Sequence, residues 1–242
     1  MRITRFYCPE LDDRQASFTL PEAAHRHAVQ VLRLRVGDAL RLFDGRGLEM
    51  EAELEHVSKR ESSVRLLNTV DVNNESPLSI TLLQGISKGE RMDYALQKAV
   101  ELGVTRIIPV ETERCNVQLS GGRDEKRWAH WQGIVVSACE QSGRSIVPEL
   151  VTVTQLHAAI AADQVGCRLV LDPLAEMGFN TIDKHENITL LIGPEGGLSE
   201  AEIEQAQVAG FQSVRFGPRI LRTETATVAA LAVVQTLWGD LG

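Results

Sequence analysis

The sequence has few cysteines, and no motif joins them. The four cysteines lie far apart, and no C-x-x-C pair occurs: Cys8, Cys115, Cys139 and Cys167. This spacing favours neither a zinc site nor a disulfide framework. We therefore predict four reduced thiols in the core and no bound metal.

The sequence also lacks a signal peptide and a membrane-length apolar run. No apolar segment follows the N-terminal residues Met1 to Arg5. The most apolar predicted helix, Thr225 to Trp238, contains no uninterrupted run near the ~20 residues of a membrane span. We expect a soluble cytoplasmic protein without a membrane partner. Its 242 residues, 43% of them hydrophobic, suffice for one large domain or two small ones.

An overall excess of positive charge is missing as well, because the net charge is −8. Residues 1 to 46 nevertheless carry eight arginines against six acidic residues, whereas the rest of the chain is acidic. Only four aromatic residues precede residue 90, so we predict no base-stacking platform. The N-terminal arginines are compatible with RNA phosphate contacts or with an ordinary solvated surface.

Neither common nucleotide-binding fingerprint is present, since the chain has no G-x-G-x-x-G and no G-x-x-x-x-G-K-[ST]. Two glycine-proline loops occur instead, at Leu191 to Ser199 and at Phe216 to Ala226, and each follows a short apolar run. Glycine lets the backbone approach a ligand, and a following helix offers unpaired N–H groups. The two loops together predict one composite pocket, although either alone could be an ordinary turn.

The elements around these loops can be assigned locally. Ile188 to Ile192 is typical of a strand buried on both faces, and Ser199 to Glu202 forms a capping box that begins a helix ending near Gly210. Gln212 to Phe216 is the next predicted strand. Thr223 and Glu224 then open the helix Thr225 to Trp238.

The chain divides into two parts of different pattern. Residues 1 to 72 contain short predicted strands, one helix from Pro21 to Leu32, and a hairpin signal at Asp44 to Gly47. The polar segment Asn73 to Pro77 is a predicted linker. Strands and helices alternate afterwards, which is typical of an α/β domain with a parallel sheet. We predict domains at residues 1–72 and 73–242.

Five further segments, with the two loops, resemble one known family over the whole chain. These segments are His27 to Arg33, Lys88 to Arg91, Gln97 to Gly103, Glu113 to Cys115 and Ala138 to Arg144. The chain resembles the SPOUT superfamily of RNA methyltransferases, and within it the RsmE family that methylates uridine N3 in 16S ribosomal RNA. The order and spacing of the segments carry the resemblance.

The resemblance implies a small N-terminal PUA-like β-barrel domain and a C-terminal SPOUT α/β domain with a parallel sheet and a deep trefoil knot. It implies S-adenosylmethionine as the cofactor, 16S ribosomal RNA or the small ribosomal subunit as the partner, and a homodimer with the cofactor pocket near its interface. The implied cofactor-binding residues are Leu171, Ile192, Gly193, Pro194, Glu195, Gly196, Phe216, Gly217, Ile220, Leu221, Arg222, Thr223 and Thr225.

The expected reaction requires removal of the uracil N3 proton, because neutral N3 is a poor nucleophile. Arg222 is the predicted cation that stabilises the developing anion on O2 and O4. Glu224 and Glu140 are the predicted candidates for the proton acceptor. Glu224 would alternatively serve only as a favourable negative charge at a helix N-terminus.

The predicted RNA contacts lie in both domains. Arg5, Arg26 and Arg33, with His27, are the candidates in the arginine-rich N-terminal part. Lys88, Arg91, Arg114 and Arg144 are the candidates further along, where they would otherwise form surface ion pairs. Arg144 would alternatively contact a partner subunit.

Two other functions remain open at this point. Gly85-Ile86-Ser87-Lys88-Gly89 matches the nucleophile-elbow pattern of serine hydrolases, with Asp172 and His185 downstream in the required order. A non-catalytic RNA-binding or ribosome assembly factor is the other alternative. Binding of S-adenosylmethionine would distinguish that factor from a methyltransferase.

Overall fold

The computed structural model describes residues 3–72, 74–115, 123–162 and 165–242, apart from the side chain of Arg123. These residues form two compact units. The first comprises Met1–Glu75 and Cys139–Val147, and the second comprises Ser76–Ala138 and Pro148–Gly242. The first unit therefore includes a segment, Cys139–Val147, that the sequence pattern placed in the second domain.

The first unit contains a five-stranded sheet in the order β1-β3-β4-β5-β2. Its strands are β1 (Thr4–Tyr7), β2 (Ser17–Thr19), β3 (Ala39–Phe43), β4 (Glu49–Val57) and β5 (Ser62–Thr69). β1 and β3 are parallel, and the other pairs are antiparallel. The predicted turn at Asp44 to Gly47 joins β3 to β4, because the Asp44 carboxylate accepts hydrogen bonds from the N–H groups of Arg46 and Leu48.

The predicted helix Pro21 to Leu32 takes a different form in the structure. A short α-helix, α1 (Glu22–His25), continues as a π-helical segment from Arg26 to Val31. The wider turn is visible at its end, where the Leu32 N–H bonds to the His27 carbonyl five residues back, at 2.9 Å. The segment keeps Ala28 fully buried, and Arg33 follows it at a φ of +58°.

The second unit is built on a parallel sheet in the order β12-β10-β11-β6-β7-β8, with β9 paired to β7. Its strands are β6 (Ser79–Gly85), β7 (Arg106–Glu111), β8 (Glu149–Leu150), β9 (Thr154–Gln155), β10 (Cys167–Leu171), β11 (Asn187–Ile192) and β12 (Gln212–Val214). Its helices are α2 (Glu90–Glu101), α3 (Arg123–Ser142), α4 (Leu156–Ala161), α5 (Glu200–Val208) and α6 (Thr223–Trp238), and the last residues of α3 belong to the first unit. Phe179–Thr181 forms a 3-10 turn.

The apolar runs explain why the sheet has this layout. Ile188 to Ile192 in β11 is buried at every position, as expected for an inner strand of a parallel sheet covered on both faces. Leu83, Ile108 and Leu191 form a core with residues of α4 and α5. The predicted parallel α/β architecture is therefore confirmed.

Two strands are shorter than the sequence pattern predicts. Glu149 to Val153 reads as a strand in the sequence, but only Glu149–Leu150 forms one, and the predicted strand Gln212 to Phe216 ends at Val214. Among the helices that the structure describes, none combines the length and apolar character of a membrane span.

Candidate functional site

The two glycine-proline loops line the same cavity, which has a volume of about 610 Å³. The cavity lies at the carboxyl ends of β10, β11 and β12, where open α/β sheets place their ligands. Most of the predicted cofactor-binding residues lie on its wall: Leu171, Ile192, Gly193, Pro194, Glu195, Gly196, Phe216, Gly217, Ile220, Leu221, Arg222 and Thr223. Thr225 does not, since it is an exposed residue outside the lining.

The first loop is fixed by contacts from two preceding segments. Glu195 accepts hydrogen bonds from the Lys88 backbone N–H at 2.8 Å and from the Arg91 guanidinium at 3.2 Å. Burial acts to raise the pKa of Glu195, but these bonds and one from its own N–H outweigh burial and lower the pKa. Arg114 donates to the carbonyls of Gly196 and Leu198, each at 3.3 Å. The Glu195 side chain is therefore an anion held in place.

The predicted capping box ends this loop. The Ser199 hydroxyl accepts from the Glu202 N–H, and the Glu202 carboxylate accepts from the Ser199 N–H. The other Glu202 oxygen accepts from the Glu113 N–H at 2.8 Å. Glu202 therefore fixes both the start of α5 and the segment after β7, and Glu200 in the first turn lines the cavity.

Glycine is required for a different physical reason in each of the two loops. A Cβ atom on Gly193 would lie 2.9 Å from the Leu198 backbone nitrogen, so the first loop is too tightly folded for a side chain there. Gly217 has open space around it but a φ of +69°, a conformation that side chains disfavour. The sequence predicts that both glycines leave room for a ligand, but it does not distinguish the tight fold at Gly193 from the left-handed backbone at Gly217.

The predicted catalytic residues fall in two places. Arg222 is exposed, lines the cavity and is the N-cap residue of α6 without a side-chain capping bond. Glu224 lies in the first turn of α6, and its Oε2 atom is buried without a hydrogen-bond partner in the described structure. Glu140 lies in the first unit, where its carboxylate accepts a bond from the Tyr7 N–H and burial raises its pKa.

Several predicted RNA-binding residues are accessible. Arg26, His27 and Arg33 are exposed in and beside the π-helical segment of the first unit. Lys88 is exposed in the second unit, and Arg91 and Arg114 lie on the cavity wall.

The predictions for Arg5 and Arg144 are corrected by the structure. The Arg5 side chain is only 7% exposed, because its guanidinium binds both oxygens of Glu49 and donates to the carbonyls of Cys139 and Arg144. Arg144 is buried against Glu75. These donors already bind partners inside the first unit, so neither residue offers its guanidinium to an RNA phosphate.

The hydrolase alternative does not fit the structure. Ser87 is buried, and its hydroxyl contacts the Gly85 carbonyl at 3.4 Å. His185 packs against the Trp238 ring, and Asp172 accepts a bond from the Leu174 N–H. Across the described ranges no histidine is hydrogen-bonded to Ser87, so an activated serine is missing.

Sequence reasoning overlooked part of the cavity wall. The additional lining residues outside the two predicted loops include Asp172, Leu174, Ile203 and Val214. Several of them lie at or just after the carboxyl ends of β10 and β12. Open α/β sheets bind their ligands at the carboxyl ends of strands, so the predicted strands already indicated this position. In the part of the chain that the structure covers, no three acidic, histidine or cysteine side chains are grouped to hold a metal ion.

Comparison with known proteins relates both units to described families. A family of RNA methyltransferase domains matches residues 74–235, and a family of RNA methyltransferase PUA domains matches residues 20–67. The ribosomal RNA small subunit methyltransferase E of Buchnera aphidicola from Schizaphis graminum is 36% identical over 99% of this chain and 98% of its own length.

Two solved structures are similar over their full length. The ribosomal RNA small subunit methyltransferase E of Neisseria gonorrhoeae, bound to S-adenosylmethionine, is 44% identical with a TM-score of 0.93, and the alignment covers 100% of both chains. A Legionella pneumophila protein in complex with the same cofactor is 39% identical with a TM-score of 0.96, again over 100% of both chains.

Proposed function

The chain belongs to the RNA methyltransferase family, and from this membership we propose that it is an S-adenosylmethionine-dependent methyltransferase of small-subunit ribosomal RNA. The observation that carries the proposal is the single cavity formed by both glycine-proline loops. The proteins of Neisseria and Legionella, which share the fold over their whole length, bind S-adenosylmethionine.

The cavity suits this cofactor in size and chemistry. Its volume of about 610 Å³ falls within the ~300–1,000 Å³ typical of small-molecule sites. Apolar side chains of Leu171, Ile192, Val214 and Phe216 offer surface for an adenine ring. The buried Oε2 atom of Glu195, which has no hydrogen-bond partner among the described residues, is an acceptor that an N–H or O–H group of the cofactor would satisfy.

We propose N3 of a specific uridine in 16S ribosomal RNA as the methylated atom, as the RsmE resemblance implies. S-adenosylmethionine supplies a methyl group already activated on a sulfonium, so the protein's task is to orient the uracil and remove its proton. Arg222 would stabilise the negative charge that develops on the uracil oxygens. Glu224, with its free Oε2 on the same cavity, is the proposed proton acceptor.

Substrate RNA is the proposed partner of both units. In the first unit the exposed Arg26, His27 and Arg33 would contact phosphates, and in the second unit Lys88, Arg91 and Arg114 would do so near the cavity. A protein that acts on ribosomal RNA works where ribosomes are made, so we place it in the cytoplasm.

Mass spectrometry of ribosomal RNA tests the proposed reaction. Cells that lack the protein should lose one N3-methyluridine from 16S ribosomal RNA, and restoring the wild-type chain should return it. Restoring a Gly193→Val chain should not. An unchanged methylation pattern, with a ribosome assembly defect, would support the non-catalytic assembly factor instead.

We also propose a homodimer, together with the trefoil knot that the SPOUT resemblance implies. Leu174 and Ile220 line the cavity yet are 83% and 86% exposed, which is unusual for large aliphatic side chains at a ligand site. A second subunit would cover them. Sedimentation equilibrium should give twice the chain mass, and a monomer at micromolar concentration would contradict the proposal.

A further inference from the structure

A chain of buried polar groups lies beneath the two loops of the cavity. Gln84 in β6 is completely buried. It pairs in the sheet with Ile192, the residue directly before Gly193 of the first loop. Thr223, in the second loop and at the first position of α6, is buried as well, and so is Thr227 one turn further along the helix. Polar side chains in a sheet core are costly unless they are fully hydrogen-bonded.

The direction of the hydrogen bonds in this chain can be assigned. The Thr223 hydroxyl donates its one proton to the Gly193 carbonyl at 2.7 Å, so it accepts from the Gln84 Nε2 atom at 3.1 Å. The second Nε2 proton goes to the Gly85 carbonyl. The Oε1 atom lies 2.6 Å from the Thr227 hydroxyl, and this contact is shorter than the 2.9 Å from that hydroxyl to the Thr223 carbonyl, so we assign the Thr227 proton to Oε1. Both Nε2 protons and the Oε1 atom of the Gln84 amide therefore have a hydrogen-bond partner.

Each link in such a chain polarises the next, because a hydroxyl that accepts a hydrogen bond becomes a better donor. The Gln84 amide therefore strengthens the bond that holds the Gly193 carbonyl. This bond joins the first loop to Thr223, which lies in the second loop. The two loops that line the cavity are thus tied to one side chain of the central strand.

We propose that Gln84 is a positioning residue for the cofactor, one that holds both loops in their binding arrangement without lining the cavity itself. The inference rests on the proposed function, since the ligand is taken to be S-adenosylmethionine. The protein contains a matched control in Gln235. Its side chain is 1% exposed, bonds to Ser76 and to the Leu102 carbonyl, and contacts neither loop.

The first test compares Gln84→Leu with Gln235→Leu by calorimetric titration with S-adenosylmethionine and by steady-state kinetics. Both substitutions delete a buried amide, so both lower the melting temperature. Only Gln84→Leu should weaken cofactor binding, by about tenfold, the value of one net hydrogen bond. Its KM for the cofactor should rise while kcat at saturation changes little. Equal affinities of the two variants and the wild type would overturn the proposal.

The second test uses Gln84→Glu, which keeps the size of the side chain. An ionised carboxylate has no proton to donate. The Thr223 hydroxyl would therefore donate its proton to this carboxylate, and its hydrogen bond to the Gly193 carbonyl would be lost. Protonation restores a donor, and burial raises the pKa at which this occurs. Relative to wild type, the variant's affinity should therefore recover as the pH falls. A deficit that is independent of pH would contradict the relay, and the test also applies if Gln84→Leu fails to fold.

A third measurement needs no ligand. Amide hydrogen exchange at residues 195–198 and 223–227 should be faster in Gln84→Leu than in Gln235→Leu. Failure of the wild-type protein to bind S-adenosylmethionine would refute the proposed function, whereas the exchange rates would still decide whether Gln84 positions the loops. Equal rates in the two variants would refute the positioning role.

Discussion

At the scale of single residues, the guanidinium of Arg5 satisfies acceptors from two distant parts of the chain. It binds the Glu49 carboxylate in β4 and two carbonyls at and beyond the C-terminal end of α3. Carbonyls at a helix C-terminus lack partners within the helix, so a buried cation there replaces the missing donors. The role of Arg5 is to stabilise the first unit.

Removal of this cation should destabilise the protein strongly. Among the residues that the structure describes, Arg5→Ala leaves Glu49, whose side chain is 1% exposed, with the more distant Arg41 at 3.6 Å as its ion-pair partner. We expect a loss of about 3 kcal/mol in the free energy of unfolding, measured by urea denaturation. Arg14→Ala, at an exposed ion pair, should leave the free energy of unfolding almost unchanged. Similar stabilities of the two variants would contradict this role.

Arg222 should affect turnover and not affinity. Its side chain makes no capping bond to α6, so Arg222→Ala removes a charge at the cavity without removing a helix cap. We expect kcat to fall on the order of 10²-fold with little change in cofactor affinity. Arg60→Ala, at an exposed turn of the first unit, is the control. Unaltered turnover in Arg222→Ala would remove the electrostatic role.

The two buried arginines show which contacts cannot be predicted from the sequence. The sequence reveals that Arg5 and Arg144 carry charge, but their carboxylate partners lie 44 and 69 residues away. Only the fold brings these pairs together. The cavity residues were more accessible to prediction, because the two loops are continuous segments with a recognisable strand before and a helix after them.

At the scale of elements, the π-helical segment Arg26–Val31 presents an exposed surface. Val31 is 65% exposed, and Arg33, two residues later, has a left-handed backbone conformation. Such a conformation is uncommon outside glycine and asparagine, and it is often retained at functional positions. Arginines on this exposed surface are well placed to meet a phosphate backbone.

The double variant Arg26→Ala/Arg33→Ala tests this surface. Each lost phosphate contact should reduce the slope of log affinity against log salt concentration. The reduction should be about 0.7 for a single-stranded site and about 0.9 for a duplex site. We expect weaker binding of a 16S ribosomal RNA fragment, a shallower salt dependence and unchanged affinity for S-adenosylmethionine. Arg60→Ala serves as the control. Wild-type RNA affinity and slope in the double variant would assign these arginines to a solvated surface.

Elements whose signals are local were predicted well. The hairpin at Asp44 and the capping box at Ser199 depend on residues within four positions, so the sequence contains the full signal. The π-helical continuation of α1 and the short β8 were missed. Periodicity does not distinguish an α-helix from a π-helix over six residues, and the length of β8 depends on its pairing with β7.

At the scale of the whole molecule, cofactor binding should raise thermal stability by mass action. S-adenosylmethionine at 100 times its Kd should add about 2.7 kcal/mol to the unfolding free energy, visible as a shift in melting temperature. Gly193→Val should abolish the shift, because its side chain would displace the Leu198 backbone.

Gly133→Val provides the matched control for this shift. A Cβ at Gly133 in α3 meets no atom within 4 Å, so that variant should keep the response to the cofactor. Far-ultraviolet circular dichroism should show both variants folded. A wild-type shift in a folded Gly193→Val protein would mean that the first loop does not form the binding site.

The order of strands in the parallel sheet has a consequence for biosynthesis. β6 lies between β7 and β11, but β11 begins at Asn187, after four other strands have been made. One edge of β6 therefore remains unpaired while the intervening chain is translated, and unpaired strand edges promote aggregation. The cavity wall is completed only by residues up to Ala226. A message truncated after β10 would therefore yield an insoluble fragment and not a shorter active enzyme.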